Sequence, residues 1–465
     1  MTDLSAGADA PGGPVAANRF YFVAWRWHFY AGLYVAPFLI MLAVTGLIML
    51  WVSATTELSG ERSYVVPAGT PMAVSAQAAA AVAAVPGGAV SQYIAPMGAD
   101  RVAVFKVDAG DVSTTVVVDP YTATVTETFP WREGWYDFAS DIHGSLLIGN
   151  TGDILIEIAA SLGIILVVTG VYLWWPRGGA RAALVPDLAA KGRGWWKSMH
   201  QVTGVWVALL LVVFLISGLS WTGVWGAKFV QAWSTFPAEK WDNVPLSDAT
   251  HASMNHADTH EVAWTLEQTP LPASGSLAGM VGVQGPVTLD AVTDFASSLG
   301  FDRRYQLSFP ADETSVWTIS HDSQSNDGPA PSADRTLHID QFTGRVLADV
   351  RYADYSVYAR AMAYGIAFHE GDMGAWNMAL NTLFCASVIF MSASGLVMWW
   401  QRRPVGALRL GAPPLPCNLP LWKGAAVLML GLGLAFPLAG AVLVAAIVLD
   451  LAVLRFVPSL KRALN

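Results

Sequence analysis

Charge is what this sequence has least of. Lys and Arg number 26 and Asp and Glu 35, which is 13% of 465 residues, about half the ~25% found in soluble proteins. With 54% apolar residues and a mean hydropathy of +0.43, a water-soluble globule is excluded: too few charges remain to clothe such a core, and bilayer is the fitting solvent. Positive charge is scarcer still. The net charge of −9 leaves no basic footprint for phosphates and excludes nucleic acid as a partner. Cysteine is nearly absent. Cys385 in an apolar run and Cys417 in a Pro-rich turn make neither a disulfide framework nor a zinc site.

What is abundant is tryptophan, 20 residues, a side chain favoured at membrane interfaces, together with long uncharged runs. The runs predict spans at 20–51, 151–175, 199–226 and 374–400, with a C-terminal hairpin of two short spans over 421–457, interrupted at Phe436-Pro437-Leu438-Ala439-Gly440. That makes six crossings, or five if the last run is undivided. The 20–51 run is too long for a signal-peptide core and reads as a retained helix. Basic residues orient the chain. Arg177, Arg181, Lys191, Arg193 and Lys197 fill the 176–198 loop, Arg402 and Arg403 open the 401–420 loop, and Arg455, Lys461 and Arg462 lie at the end, next to or within the 458–465 tail. By the positive-inside rule these segments and the 1–19 tail are cytoplasmic, and the long loops 52–150 and 227–373 are periplasmic.

Each long loop repeats one pattern, a helix followed by strands. The first reads as helix Met72–Val85, strands near Ser91–Ala95, Arg101–Val107 and Thr114–Val118, a turn at Asp119-Pro120-Tyr121-Thr122, and strand Thr124–Glu127. The second reads as helix Leu289–Leu299, strands Arg304–Ser308, Ser315–Ser320 and Leu337–Ile339, a turn at Asp340-Gln341-Phe342-Thr343-Gly344, and strand Arg345–Ala348. Two small α+β units are expected, with 270–285 and 323–332 as loops.

The spans are duplicated as well. His28-Phe29-Tyr30-Ala31-Gly32 matches His200-Gln201-Val202-Thr203-Gly204, and Gly46 and Gly218 each stand eighteen residues beyond the histidine, inside Thr45-Gly46-Leu47 and Ser217-Gly218-Leu219. Thr169-Gly170-Val171-Tyr172-Leu173-Trp174-Trp175 matches Ser394-Gly395-Leu396-Val397-Met398-Trp399-Trp400, preceded by His143-Gly144 and His369-Glu370-Gly371. In the expected topology His28 and His200 share one depth near the inner leaflet, and His143 and His369 another near the outer leaflet. Neutral imidazoles at matched depth on neighbouring helices are what a low-spin haem b needs as axial ligands, so two haems per chain are expected. Eighteen residues are five helical turns, a rise of about 27 Å. Gly46 and Gly218 would therefore offer bare backbone to the outer haem, and Gly170 and Gly395 to the inner one. Close helix packing explains small residues equally well.

Arg26, Lys197, Arg177 and Arg402 near the inner pair, and Arg132 and Arg360 near the outer pair, are candidate propionate anchors. Glu157 and Asp450 are acids inside apolar runs. Trp131, Trp135, Tyr136, Tyr355, Tyr358, Tyr364 and Trp376 form either a docking surface or an aromatic interface belt. His251, His256 and His260 with Met254 have a metal-catching spacing but read first as a polar surface loop, and His321 and His338 as strand or turn residues. No Gly-rich dinucleotide fingerprint occurs in the cytoplasmic segments, so an electron donor would be a separate reductase or a membrane quinol.

The tandem loops with Val118-Asp119-Pro120-Tyr121-Thr122 and Ile339-Asp340-Gln341-Phe342-Thr343-Gly344, the helix starts Trp27-His28 and Met199-His200, and Ser394-Gly395 through Trp399-Trp400-Gln401-Arg402-Arg403-Pro404 resemble the PepSY-associated transmembrane proteins over roughly residues 20–405. The first turn has Thr122-Ala123 where that family often has Thr-Gly. The resemblance implies an inner-membrane protein with a four-helix haem-binding core and two periplasmic PepSY-like domains. It implies further that electrons reach a ferric siderophore or other ferric chelate in the periplasm and release Fe(II). Three alternatives stay open: a haem or metal-chelate transporter or chaperone, a transmembrane electron carrier to another acceptor, and a non-enzymatic regulatory scaffold.

Overall fold

A computed structural model describes residues 15–55, 62–175, 184–230, 243–255, 262–325, 327–403, 410–413 and 423–449, with 452, 456–457 and 464. In chain order the elements are α1 (Val15–Thr55), α2 (Val74–Ala84), β1 (Ala89–Ile94), β2 (Ala103–Ala109), β3 (Val112–Asp119), β4 (Thr124–Pro130), α3 (Trp135–Ser145), α4 (Asn150–Trp174) and α5 (Arg193–Leu219). Then follow β5 (Leu246–Thr250), β6 (Pro270–Pro272), α6 (Leu289–Ser298), β7 (Gln306–Ser308), β8 (Val316–His321), β9 (Arg335–Asp340), β10 (Val346–Arg351), α7 (Val357–Glu370), α8 (Ala375–Arg402), α9 (Lys423–Ala435) and α10 (Pro437–Leu449). They form two compact units. One comprises Met1–Met41, Leu155–Leu215 and Ala386–Asn465, the other Leu42–Ile154 and Ile216–Cys385.

Among the described residues four helices are long and apolar enough to cross a membrane: Phe20–Thr55, Asn150–Trp174, Arg193–Leu219 and Ala375–Arg402. They leave large apolar side chains bare, with Trp206 66%, Leu209 76% and Leu383 66% exposed, which water would penalise and lipid accepts. The C-terminal run breaks at Phe436, where Pro437 begins a new helix. Each of its two helices has 13 residues, about 20 Å at 1.5 Å per residue, short of the ~30 Å hydrocarbon core. They pack glycine on glycine: a Cβ on Gly440 would lie 2.5 Å from the Gly433 carbonyl oxygen.

The two α+β patterns do not make two domains. They merge into one eight-stranded antiparallel sheet, ordered β10-β9-β8-β7-β1-β2-β3-β4. The seam is β1 against β7, with Tyr93 opposite Leu307 and a buried Gln92 Nε2–Gln306 Oε1 hydrogen bond of 2.8 Å. Each four-stranded half would leave an unpaired edge strand, and joining the two edges satisfies both ladders. Local periodicity carries no sign of such a pairing, because its partners are more than two hundred residues apart. Helices α2 and α6 cover one face, where Val116, Phe105, Tyr93, Leu307, Ile319 and Leu337 are cross-strand neighbours in a single core. The opposite face carries a polar row in the same register, Thr115, Lys106, Gln92, Ser308, Thr318 and His338. The 270–285 segment read as loop includes β6, which pairs with β5.

The expected surface loop around His251 is also corrected. His251 is fully buried, its Nε2 2.9 Å from Nε2 of His338 and its Nδ1 2.7 Å from the Thr269 carbonyl. A carbonyl only accepts, so His251 carries its proton on Nδ1, and His338 donates through Nε2. His338 is set in that position by β-register, opposite Thr318, whose Oγ1 is 3.0 Å from His338 Nδ1. His321 and His338 are strand residues. His256, His260, Cys417, Arg177, Arg181, Arg455, Asp450, Lys461 and Arg462 lie outside the described residues.

Two predictions follow from the sheet. The corresponding turns place Ala123 at φ 50 and Gly344 at φ 65, a region that costs a residue with a Cβ roughly 1–2 kcal/mol. Gly344→Ala should therefore lower stability by about that much or more, since its Cβ would also meet the Val283 carbonyl oxygen at 2.7 Å. Ala123→Gly should be neutral or stabilising; thermal unfolding of the two variants checks the contrast. Burial holds the His251 imidazole down to about 4 and His338 well below the ordinary range. Between about pH 6.5 and 4 the unfolded chain then binds more protons than the folded one, so stability falls as pH falls. The slope is up to ~1.4 kcal/mol per pH unit for each histidine. Denaturation midpoints measured from pH 7.5 to 4.5 should fall steadily for the wild type, and less steeply for His338→Gln.

Candidate functional site

In the first unit, α1 carries His28 and α5 carries His200. Their ring centroids are 6.4 Å apart with planes at 89°. In the second unit, α3 carries His143 and α7 carries His369, again 6.4 Å apart, at 82°. This separation is not that of a direct contact: the hydrogen-bonded His251–His338 pair has centroids 4.9 Å apart. A metal midway between two imidazoles, with each metal–nitrogen bond about 2.0–2.1 Å, puts ring centroids about 6.3 Å apart. Both pairs therefore have the spacing of two imidazoles that would share one metal ion.

The second ring nitrogen explains how each imidazole is held. His28 Nδ1 lies 3.0 Å from Thr169 Oγ1, His143 Nδ1 2.8 Å from Thr45 Oγ1, His200 Nδ1 2.8 Å from Ser394 Oγ, and His369 Nδ1 2.7 Å from Ser217 Oγ. Three of these hydroxyls donate their own proton back to a helix carbonyl: Thr169 to Ile165, Thr45 to Leu42 and Ser394 to Met391. They must then accept from the histidine, which places the imidazole proton on Nδ1. His200 Nδ1 also meets the Met391 carbonyl at 3.1 Å, which requires the same tautomer. Were a metal held between the rings, Nε2 would be the coordinating atom, the arrangement in which a metal-bound histidine donates its other N–H to the protein.

Each of these hydroxyls immediately precedes one of the repeated glycines, and the glycine lies against the ring, most tightly at Gly170. A Cβ on Gly170 would stand 3.2 Å from His28 Cε1, on Gly46 3.6 Å from His143 Cε1, on Gly218 3.4 Å from His369 Cε1, and on Gly395 3.7 Å from His200 Cε1. The glycines thus meet the edge of the imidazole. Sequence reasoning, which assigned them to the face of the cofactor, overlooked the neighbouring hydroxyl, although Thr-Gly or Ser-Gly occurs at all four places.

Local chain geometry fixes the helices that carry His143 and His369. After α3 the backbone turns through left-handed residues Leu146, Leu147 and Gly149. Gly152 of α4 then approaches so closely that a Cβ would overlap the Ser145 carbonyl. Helix α7 ends on Gly371 at φ 94, and its last carbonyls would be orphaned in apolar surroundings. Two buried asparagines of α8 meet them: Asn377 Nδ2 donates to the Phe368 carbonyl at 2.9 Å, and Asn381 Nδ2 to Phe368 and His369 at 2.8 and 3.0 Å. These asparagines were not singled out from sequence; polar residues inside a span are the signal that could have found them. Beside His369, the half-buried Glu370 and Asp372 each have a carboxyl oxygen that is shielded from solvent and has no hydrogen-bond partner among the described residues. Burial and the neighbouring charge hold Glu370 well above its ordinary range, and burial lifts Asp372 to about 7.

The candidate anchoring arginines have other partners. Arg26 donates to the Pro413 carbonyl at 2.6 Å and to Tyr30 Oη at 3.0 Å. Arg132 is 3.5 Å from Asp137, Arg360 donates to the Tyr355 and Ala353 carbonyls, and Arg402 stacks over Trp25 and Phe29. Glu157 is fully buried in α4. Of the aromatic group, Trp135 and Trp376 are exposed and Tyr355 is buried, so those seven residues do not form one surface. Among the described residues no group of three or more His, Cys, Asp or Glu could hold a metal ion.

The family model described as the PepSY-associated TM region matches residues 25–402, a stretch that includes all four histidines, all four glycines and the whole sheet. No curated protein matches the chain.

Proposed function

The chain belongs to the PepSY-associated transmembrane family, and from that membership and its two histidine pairs we propose that it is a di-haem electron carrier of the bacterial inner membrane that reduces a periplasmic ferric chelate. The observation that carries the reading is the pair geometry: two imidazoles 6.4 Å apart, twice over, with Nδ1 bonded to a hydroxyl and coordination assigned to Nε2. Haem, when bound, supplies a one-electron couple at each pair.

The remaining work belongs to the protein's own residues. His28 and His200 hold the cytoplasmic-side group, and His143 and His369 the periplasmic-side group. Thr169, Ser394, Thr45 and Ser217 fix ring orientation, and the glycines admit the rings without steric conflict. Apolar spans exclude water, which leaves the potential of each site to its ligands and their hydrogen bonds. The donor is a separate reductase or a membrane quinol on the cytoplasmic side. The acceptor is a ferric siderophore or other ferric chelate, which releases Fe(II) after accepting one electron.

A pyridine haemochrome assay on purified protein tests the cofactor. About two haems per chain are expected, one of them lost in His28→Ala or His200→Ala, and the other in His143→Ala or His369→Ala. Gly170→Leu, whose side chain would occupy the place of the His28 ring edge, should lose the same haem as His28→Ala, while Gly170→Ala retains it. Dithionite-reduced protein should convert ferric chelate to Fe(II) trapped by ferrozine, with His143→Ala and His369→Ala at least tenfold slower. Colourless, folded protein from haem-replete cells would end the proposal.

A further inference from the structure

On the face of the sheet opposite α2 and α6 lies a cavity of about 730 Å³, within the range of small-molecule sites. Its floor is the polar row of the sheet, Lys106, Gln92, Ser308 and Thr318, with Ser91 beside it; β5, β6 and the segment after β5 form its roof through Leu246, Met254 and Leu271. This floor is polar where a packed sheet face is normally apolar. Lys106 is 1% exposed, Thr318 4% and Gln92 9%. Gln92 Nε2 is satisfied by Gln306, but Gln92 Oε1 and Ser91 Oγ are buried with no hydrogen-bond partner among the described residues. Buried acceptors left in that state cost stability unless something donates to them.

Charge defines what that something is. The Lys106 ammonium is 3.9 Å from Asp108 and sits over the Trp131 ring at 5.5 Å, so its charge is already compensated. Asp248 and Asp312 also line the wall. The Asp312 carboxyl is held down at about 2 by donors from Thr314 and Ser315 and stays ionised. Two carboxylates with no cationic partner among the described residues therefore face a space lined with unmet acceptors.

We infer that this cavity is a binding site for a cationic, amide-rich small molecule, whose ammonium group meets Asp248 and Asp312 and whose N–H groups donate to Gln92 Oε1 and Ser91 Oγ. That the occupant is the ferric chelate rests on the proposed function; that the site selects positive charge does not. Electrostatic selection of this kind discriminates by sign more than by size.

Redox-inert gallium complexes separate binding from reduction. Isothermal titration of the full chain in detergent would use the Ga(III) complex of a linear trihydroxamate in three forms: with its terminal ammonium free, N-acetylated, and N-succinylated. The ammonium form should bind about tenfold or more tighter than the succinylated form. Asp248→Asn combined with Asp312→Asn should reduce that ratio to about threefold or less, and Gln92→Leu and Ser91→Ala should each weaken all three forms. Haem content, counted on the same samples, should be unchanged. No binding, or equal binding of the three forms to wild type, overturns the inference. If ferric chelates are reduced at wild-type rates and affinity in the Asp248→Asn, Asp312→Asn protein, the site falls and the reductase reading stands. If charge-selective binding holds in protein that lacks haem, the site stands and the reductase reading falls.

Discussion

The hydrogen bond from histidine Nδ1 to a helix hydroxyl is the interaction on which the rest depends. Where water is excluded an imidazole has no solvent to orient it, and an unbonded ring nitrogen is costly. A threonine or serine one turn beyond a carbonyl is a ready-made acceptor, because its own proton is taken by the helix behind it. The bond fixes both the tautomer and the rotation of the ring, and beside each hydroxyl a glycine lies against the ring edge. Hydroxyl and glycine are therefore one device in two residues, and the chain uses it four times.

The same requirement governs the helix ends that approach the apolar region. The terminal carbonyls of α7 are met by amides from Asn377 and Asn381 of α8, residues that a packed apolar span would otherwise avoid. Their bonds tie the end of the helix carrying His369 to the following span. In the sheet, burial imposes a similar discipline on His251 and His338, which form a neutral hydrogen-bonded pair rather than an exposed loop.

What was legible in the sequence follows from range. Span locations, the duplication, the four histidines and the four glycines recur at fixed spacing and survive one-dimensional reading. Strand positions were close too: the Thr114–Val118 expectation lies inside β3 and Leu337–Ile339 inside β9. The seam was not legible, because β1 and β7 are paired by the closure of two edges far apart in the chain. The hydroxyls stood in plain sight within the quoted motifs. Their role depends on a rotamer and a neighbouring ring, which spacing does not encode. His251 was misread because three histidines in a polar stretch look like surface until β-register places His338 opposite.

The duplication also explains how the pairs are divided. His28 on α1 is oriented by Thr169 on α4, and His143 on α3 by Thr45 on α1; all belong to the first repeat. His200 is oriented by Ser394 and His369 by Ser217, all in the second. Each repeat thus prepares its own histidines, yet each pair takes one histidine from either repeat, as the seam takes one strand from either. A metal held between such a pair would bridge the two repeats, so the free energy of ligation would also be free energy of their association. Loss of one histidine would therefore release a cofactor and remove a tie between the repeats, leaving the β1–β7 ladder as a joint that needs no ligand.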